Sequence, residues 1–424
     1  MSRNNFISVL KQEVDRIDKA KTSKRFEKII TGFTKESSPK AIIGKEKYQV
    51  FNSNDYLGFR HHPLLKKAER EASEIFGTGP GAVRFISGSL KIHRDLEKAL
   101  AKFHKRDDAM VFSFSFATNL AVLYCLIAGQ NKDSLVDNNV IVISDALNHR
   151  SIIDGIRVAN LPKEQRAIFK LMDPVHLEEV LEINKKIYKR ALVVTDGVFS
   201  MLGEYQKLRE IRTIIDKYDK EYVNGVLLVV DDAHGVGIAG KTGRGIEEIE
   251  GVKADVLIGT FGKAFGADGG YVVASQTVID YLRESCATYI YSNSISPGTA
   301  GAALAAVELL DQAAGQKILA QSRTNLATFS ALMSKAGLEF AAKSQHAIQP
   351  VLVGDPAKSK ALKEALFAAG FMVTSINYPV VPAGRDEIRV QISAAHTQVD
   401  LEAFAIALTS AAKTLGLVSN GSNL

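Results

Sequence analysis

Tryptophan is absent from these 424 residues, and only two cysteines, Cys125 and Cys286, occur. Two thiols build no disulfide framework. Both sit among apolar or small residues, so they read as buried thiols of a cytoplasmic protein. No stretch approaches the run of about 18 apolar residues that a membrane-spanning helix needs, so no membrane span is expected. The first residues, Met1 to Phe6, lack an apolar core segment and a small-residue cleavage site, so no secretory signal is expected either. His61-His62 and the scattered Asp/His pairs lack metal-ligand spacing, which argues against a metal centre. Lys and Arg (53) barely exceed Asp and Glu (47) and are dispersed along the chain. Nucleic acid is therefore not an expected partner, and the small basic excess suits an enzyme handling phosphorylated or nucleotide-tailed ligands.

What is present is ordinary for a globular protein: 46% hydrophobic and 24% charged residues, enough for a large core and a smaller second domain. Apolar residues at Phe6, Val9, Leu10 and Val14 predict an amphipathic helix from Phe6 to about Lys28. Between about residues 56 and 300, apolar strand-like runs alternate with helical patterns. The strands are Ala109–Phe112, Val140–Ser144, Ile168–Leu171, Ala191–Thr195, Val226–Val230, Ala254–Ile258 and Gly270–Ala274. Such alternation predicts a mostly parallel sheet with helices on both faces. The Ala-rich stretch Thr299–Ala336 reads as one long helix or two, with no capping glycine before Gly337. Short strands and helices follow, closing with a helix over Val399–Leu415 and a frayed tail from Val418 to Leu424. The resulting division is an N-terminal helix with short strands (1–55), a large α/β domain (56–300) and a small α+β domain (301–424).

Gly235-Val236-Gly237-Ile238-Ala239-Gly240-Lys241-Thr242 matches both the dinucleotide glycine pattern and the P-loop spacing. Either motif needs a helix to open directly after the glycines. Here Gly243-Arg244-Gly245 follows, which favours a glycine-rich turn over a nucleotide site.

The chemistry-bearing residues gather at predicted strand ends, where an open α/β sheet places its ligand. Lys263 follows Ile258-Gly259-Thr260-Phe261-Gly262, and Asp231 and His234 follow Val226-Leu227-Leu228-Val229-Val230. A lysine amine there suggests Schiff-base chemistry, and an acid one strand away suits the ring nitrogen of pyridoxal 5'-phosphate (PLP). Singly, Asp231 could be a helix cap and His234 a surface residue; together with Lys263 they point to that cofactor. Ser113-Phe114-Ser115-Phe116-Ala117 follows another strand and opens a helix, which suits a phosphate dianion, or alternatively a serine N-cap. Thr260 offers a further hydroxyl, and His149 could stack on the ring.

Further segments complete an ordered set: Asn54-Asp55-Tyr56-Leu57-Gly58, Val83-Arg84-Phe85-Ile86-Ser87-Gly88, Asp145 to Ile152, and Thr195-Asp196-Gly197-Val198-Phe199-Ser200. Tyr291-Ser292-Asn293-Ser294 and Ser393-Ala394-Ala395-His396 follow them. In this order they resemble the α-oxoamine synthase family of fold-type I PLP enzymes over nearly the whole chain. The resemblance implies a fold-type I transferase with a mostly parallel central sheet and a smaller C-terminal α+β domain. It implies PLP covalently on Lys263, Asp231 at the pyridine nitrogen, His234 at O3′ and His149 on the ring. It also implies Ser115, Phe116, Ala117 and Thr260 at the phosphate, with Asp196 and Ser200 nearby and Ser292-Asn293 supplied by the second subunit of a homodimer. Asn54, Ser87 and Arg389 are implied for substrate, with Arg389 clamping the amino-acid carboxylate. The implied activity is PLP-dependent acyl transfer, in which an amino acid condenses with an acyl-CoA through aldimine and quinonoid to an α-amino-β-keto product. Within the family, Ser144–Gly155, together with Tyr378–Pro382 and Ile388–Thr397, looks most like the glycine C-acetyltransferase (2-amino-3-ketobutyrate CoA ligase) branch, implying glycine and acetyl-CoA. Phe265–Gly270 and the insertion-like stretch Gly129–Asn139 depart from it. They leave open the alternative of a decarboxylating synthase with a longer acyl-CoA, like 8-amino-7-oxononanoate synthase or serine palmitoyltransferase.

Overall fold

The computed structural model describes residues 3–20, 23–129, 133–378 and 380–418. The expected frayed tail beyond Val418, part of the expected insertion (130–132) and Pro379 lie outside them. The chain divides into two compact units, Met1–Gln49 and Val50–Leu424.

In the first unit an exposed helix spans Arg3–Lys19, and Ala41–Ile43 pairs antiparallel with Glu46–Val50. The helix expected to reach Lys28 therefore ends at Lys19. The apolar spacing that favoured it ends with Ile17, and beyond that point Arg25 turns back to Asp18, Nη1 to Oδ1 at 2.6 Å.

The second unit is built on a seven-stranded sheet. Its strands are β1 (Asp108–Phe112), β2 (Val140–Asp145), β3 (Arg166–Phe169), β4 (Arg190–Asp196), β5 (Val226–Asp231), β6 (Val256–Thr260) and β7 (Gly270–Ala274). They run in the order β1-β7-β6-β5-β4-β2-β3. Only β7 is antiparallel to its neighbours, so the other six strands end at one edge of the sheet. Successive residues enter two different cores. Ile141, Ile143, Ala191 and Val193 face one cluster, and Val140, Val142, Leu192 and Val194 face the other. That is why these strands read as unbroken apolar runs rather than alternating ones. Helices cover both faces, among them α1 (Ser115–Ala128) and α2 (Arg150–Val158), each following a strand end.

The Ala-rich stretch is two helices, α3 (Pro297–Asp311) and α4 (Ala313–Ala336). They part at Gln312, whose extended backbone ends the first, and Gly337 caps the second at φ 70°. A three-stranded antiparallel sheet follows, with β10 (Glu387–Gln391) between β8 (Ile348–Leu352) and β9 (Thr374–Ile376). With Pro356–Ala368 and Gln398–Thr414 it encloses a third core around Phe329, Phe404 and Leu408.

One close approach positions the site. Gly270, the first residue of β7, lies against the start of α1. A Cβ there would sit 2.5 Å from Ser115 Cα and 2.6 Å from Ser115 N. Only glycine lets the helix N-terminus come this close to the sheet edge. Gly270→Ala is expected to push the α1 start outward and to destabilise the fold by about 1–3 kcal/mol, the usual range for overpacking. A chemical-denaturation midpoint equal to that of the wild type would show that the helix start yields without strain.

Candidate active site

Five of the six co-directional strands deliver their end residues, or those that follow, to one cavity of about 200 Å³. It is lined by Ser115 and Phe116 after β1, His149 and Ser151 after β2, Asp196 and Ser200 after β4, Asp231, Ala233 and His234 after β5, and Thr260 and Lys263 after β6. Five separate connections thus converge, as expected for ligands of open α/β sheets.

Asp231 is the last residue of β5, not a helix cap. Its Oδ2 accepts from Asn119 Nδ2 at 2.6 Å, and its Oδ1 accepts from the Ala233 N–H at 2.9 Å. The parallel register sets it directly beside Asp196 on β4. Two carboxyl groups at adjacent buried strand ends cannot both ionise cheaply. Burial, then the charge of Asp231, holds the Asp196 pKa well above the usual carboxylate range. Protonated Asp196 still accepts the His149 backbone N–H, Oδ2 at 2.7 Å, and so anchors the turn that opens α2.

Lys263 belongs to the same wall. Withdrawal of its amine from water lowers the pKa to about 8, against the opposing pull of Asp231 and Asp196. Both histidines are held neutral, chiefly by burial and then, for His234, by the nearby Lys263 charge. His149 is the N-cap of α2 rather than a plain loop residue, with Nδ1 2.7 Å from Ser151 Oγ. His234 Nδ1 lies 2.8 Å from the Tyr56 hydroxyl.

The start of α1 suits an anion. Its N-cap is Phe114, which supplies no side-chain hydrogen bond, so the serine-cap alternative fails and the first-turn N–H groups keep their capacity. The Thr260 hydroxyl donates to the Gly269 carbonyl at 3.0 Å and accepts the Gly262 N–H at 3.2 Å. This donor turn, the acid and the amine line one cavity and form a donor set that fits PLP.

Not every expected residue reaches the cavity wall. Ala117 is buried in the first turn of α1. Ser87, Ser292 and Asn293 are exposed, and Ser113 Oγ binds the Asn293 carbonyl. Asn54 is half-buried and its Oδ1 accepts from Gln391 Nε2 at 2.5 Å. Arg389 is on the middle strand of the small sheet rather than at a sheet surface, with Nε and Nη2 buried and without partners. Its charge is felt by both Lys263 and His234. Residues given an individual place in the site only by the structure are Asn119, Ser151 and Tyr56. Ser151 stands two residues after His149, a spacing typical of a capped turn, and was the most accessible of these from sequence.

The glycine-rich decoy is a turn. Gly245 has φ 86°, and its missing Cβ leaves room for Asp232 Oδ2, which accepts the Ile246 N–H at 2.8 Å. Asp232 is fully buried behind the site, and burial raises its pKa far above the usual range. Cys125 and Cys286 are both buried, with sulfurs 3.7 Å apart. Among the described residues no helix is long and apolar enough to cross a membrane.

Comparison with known proteins places this geometry. The aminotransferase class I and II family profile matches residues 46–408. An 8-amino-7-oxononanoate synthase of Bacillus velezensis is 37% identical over 412 residues, covering 96% of this chain and 98% of that protein. One from Fervidobacterium nodosum is 38% identical over 375 residues, covering 87% and 90% respectively. Among solved structures, serine palmitoyltransferase of Sphingomonas wittichii superposes with a TM-score of 0.85 at 26% identity, covering 99% of this chain and all of that one. A serine palmitoyltransferase carrying the PLP internal aldimine gives the same score and coverage.

The Lys263 amine is expected to lose its proton around pH 8 rather than near 10.5. In cofactor-free protein, the rate of borohydride-fixed labelling of Lys263 by a small aldehyde should climb to about pH 8 and level off above it. A rate still climbing at pH 10 would show that the amine is solvated like a surface lysine.

Proposed function

Because the chain belongs to the aminotransferase class I and II family and, within it, to the PLP-dependent α-oxoamine synthases, we propose that it condenses a small α-amino acid with an acyl thioester longer than acetyl, losing the amino-acid carboxyl group as CO₂. This reading replaces the glycine and acetyl-CoA pair that the two sequence segments suggested. Its relatives' names speak of oxononanoate and palmitoyl chains, and none cited speaks of acetyl transfer. The segments that favoured the acetyl branch include His149 and Ser151 of the cavity wall and the strand carrying Arg389, which synthases of every chain length need.

The observation that carries the reading is the convergence of Lys263, Asp231 and His234 on one cavity with the uncapped start of α1. Bound PLP supplies a sink for the electrons left on the amino acid's Cα. Lys263 Nζ would hold the cofactor and, neutral above about pH 8, would take the Cα proton. Asp231, oriented by Asn119 and Ala233, would pair with the ring nitrogen, and His149 would pack on the ring. Backbone N–H groups of Ser115, Phe116 and Ala117 would hold the phosphate with Thr260, and Ser200 would serve O3′. Arg389 receives the substrate carboxylate on its two unpartnered nitrogens, with Asn54 and Ser87 toward the substrate. Ser292 and Asn293, exposed and outside this cavity, reach the phosphate of a second copy in a homodimer. The exposed Phe85, Ile86 and Phe114 supply apolar surface for that contact and for the acyl chain.

A panel of acyl-CoAs with glycine, alanine and serine, followed by CoA release with a thiol reagent, tests this. Each buried methylene contributes about 0.8 kcal/mol, roughly fourfold, so acetyl-CoA should fall at least about tenfold below the best longer substrate in kcat/KM. Acetyl-CoA as the best substrate would return the glycine C-acetyltransferase reading. Arg389→Ala should raise the amino-acid KM about ten- to a hundredfold, the loss of hydrogen bonds to a charged group. An unaltered KM would move the carboxylate site elsewhere.

A further inference from the structure

Tyr56 is fully buried, and its hydroxyl sits at the centre of a short polar chain. It lies 2.8 Å from His234 Nδ1 and 3.2 Å from Asn54 Oδ1, and Asn54 Oδ1 also accepts from Gln391 Nε2 at 2.5 Å. The hydroxyl has one proton and two acceptors within reach. Asn54 Oδ1 is already engaged at short distance by Gln391 Nε2, whose amide also bears on the Tyr56 oxygen as a donor. The nearer and otherwise unserved acceptor is His234 Nδ1. A neutral imidazole carries one N–H, so a proton donated to Nδ1 from outside requires the ring's own proton to be on Nε2.

We propose that Tyr56 is a positioning residue that fixes the His234 proton on Nε2 and so makes the ring a hydrogen-bond donor toward the cofactor oxygen O3′. Gln391 and Asn54 act behind it by occupying the competing acceptor. The proposal rests on the placement of His234 at O3′ given above. Two further contacts fix the backbone and the hydroxyl-bearing ring around it. The His234 carbonyl accepts from His346 Nε2 at 2.7 Å. The His346 Nδ1 accepts the Ile348 N–H at 3.1 Å, so the His346 ring proton is itself on Nε2. The His346 edge meets the Tyr56 ring at 4.9 Å between centroids. Burial raises the Tyr56 pKa to about 12 and keeps His234 unprotonated, so both groups stay neutral and the direction of donation persists across the working pH range.

Nitrogen-15 spectra of cofactor-free protein labelled at histidine, with the His234 signal identified by its loss in His234→Asn, read the tautomer directly. Wild type is expected to show Nε2 protonated and Nδ1 accepting. Tyr56→Phe removes the donor and should give a mixed tautomer population. When reloaded, this variant should lose PLP about tenfold faster, the loss of one buried hydrogen bond, with the amino-acid KM changed less than kcat. Gln391→Met leaves Tyr56 in place but frees Asn54 Oδ1. It should shift the tautomer in the same direction, and it decides the matter should Tyr56→Phe not fold. A wild-type ring protonated on Nδ1, or a tautomer unmoved in both variants, overturns the proposal. Failure of Lys263 to take up PLP, with the tautomers behaving as stated, would instead sink the functional reading and leave the Tyr56–His234 pair standing.

Discussion

Parallel pairing of β4, β5 and β6 forces Asp196, Asp231 and Lys263 toward one small volume, together with two imidazoles. The remaining features of the site answer that crowding. Full ordinary charge on all five groups inside a cavity of about 200 Å³ would be prohibitive. The structure settles the conflict by neutralising most of them. Asp196 keeps its proton, the histidines stay neutral, and Lys263 gives up its proton within the physiological range. Asp231 alone receives two N–H donors on its carboxylate. The chemistry follows from the same settlement. A lysine that is neutral near pH 8 is a nucleophile and a base, which an ordinary surface lysine is not.

The supports of this arrangement are steric as much as electrostatic. α1 supplies an anion-binding turn only because Gly270 lets its first residue press against β7. The turn after His234 holds its shape because Gly245 leaves room for the buried Asp232. Asp232 and Asp231 are adjacent in sequence and serve opposite ends. One side chain points into the cavity, and the other ties the backbone behind it to Ile246. The alternation of a β-strand end is sufficient to separate them.

Much of this was legible in the chain. Apolar runs ending in Asp231 and Thr260 gave the strands and the edge at which they stop, because strands buried on both faces must be apolar throughout. The Lys263, Asp231 and His234 cluster followed from what lies just past those runs. The glycine decoy was rejected because no helix could start at Gly243. Other features were out of reach. The break at Gln312 has no proline to announce it; its one local sign is Gly315, where a Cβ would sit 2.1 Å from the Leu309 carbonyl oxygen at the end of α3. Helix Leu208–Tyr218 was not picked out, since its start lacks a side-chain cap. Tyr56 meets His234 across 178 positions, and Asn119 meets Asp231 across 112. No local pattern encodes such pairings. They exist only once α1 and the segment before residue 60 have docked against the sheet.

The acyl chain, for which the relatives back the longer alternative better than acetyl, was out of reach for the same reason. Residues that handle the cofactor must satisfy its fixed geometry, so they recur in any enzyme using it and carry the family's identity. A cavity of about 200 Å³ is below the roughly 300–1,000 Å³ of a pocket for a larger ligand. On the proposed reading it holds the ring compound and little of an acyl chain, which extends beyond it. Chain-length choice would then fall to exposed apolar side chains such as Phe85, Ile86 and Phe114, which are tolerated in many combinations. Discrimination there comes from graded burial of methylenes rather than from a particular hydrogen bond, and a graded apolar contact leaves no motif. On the proposed reading, the strand ends set what kind of bond is made, and the exposed apolar side chains set how long its acyl partner is.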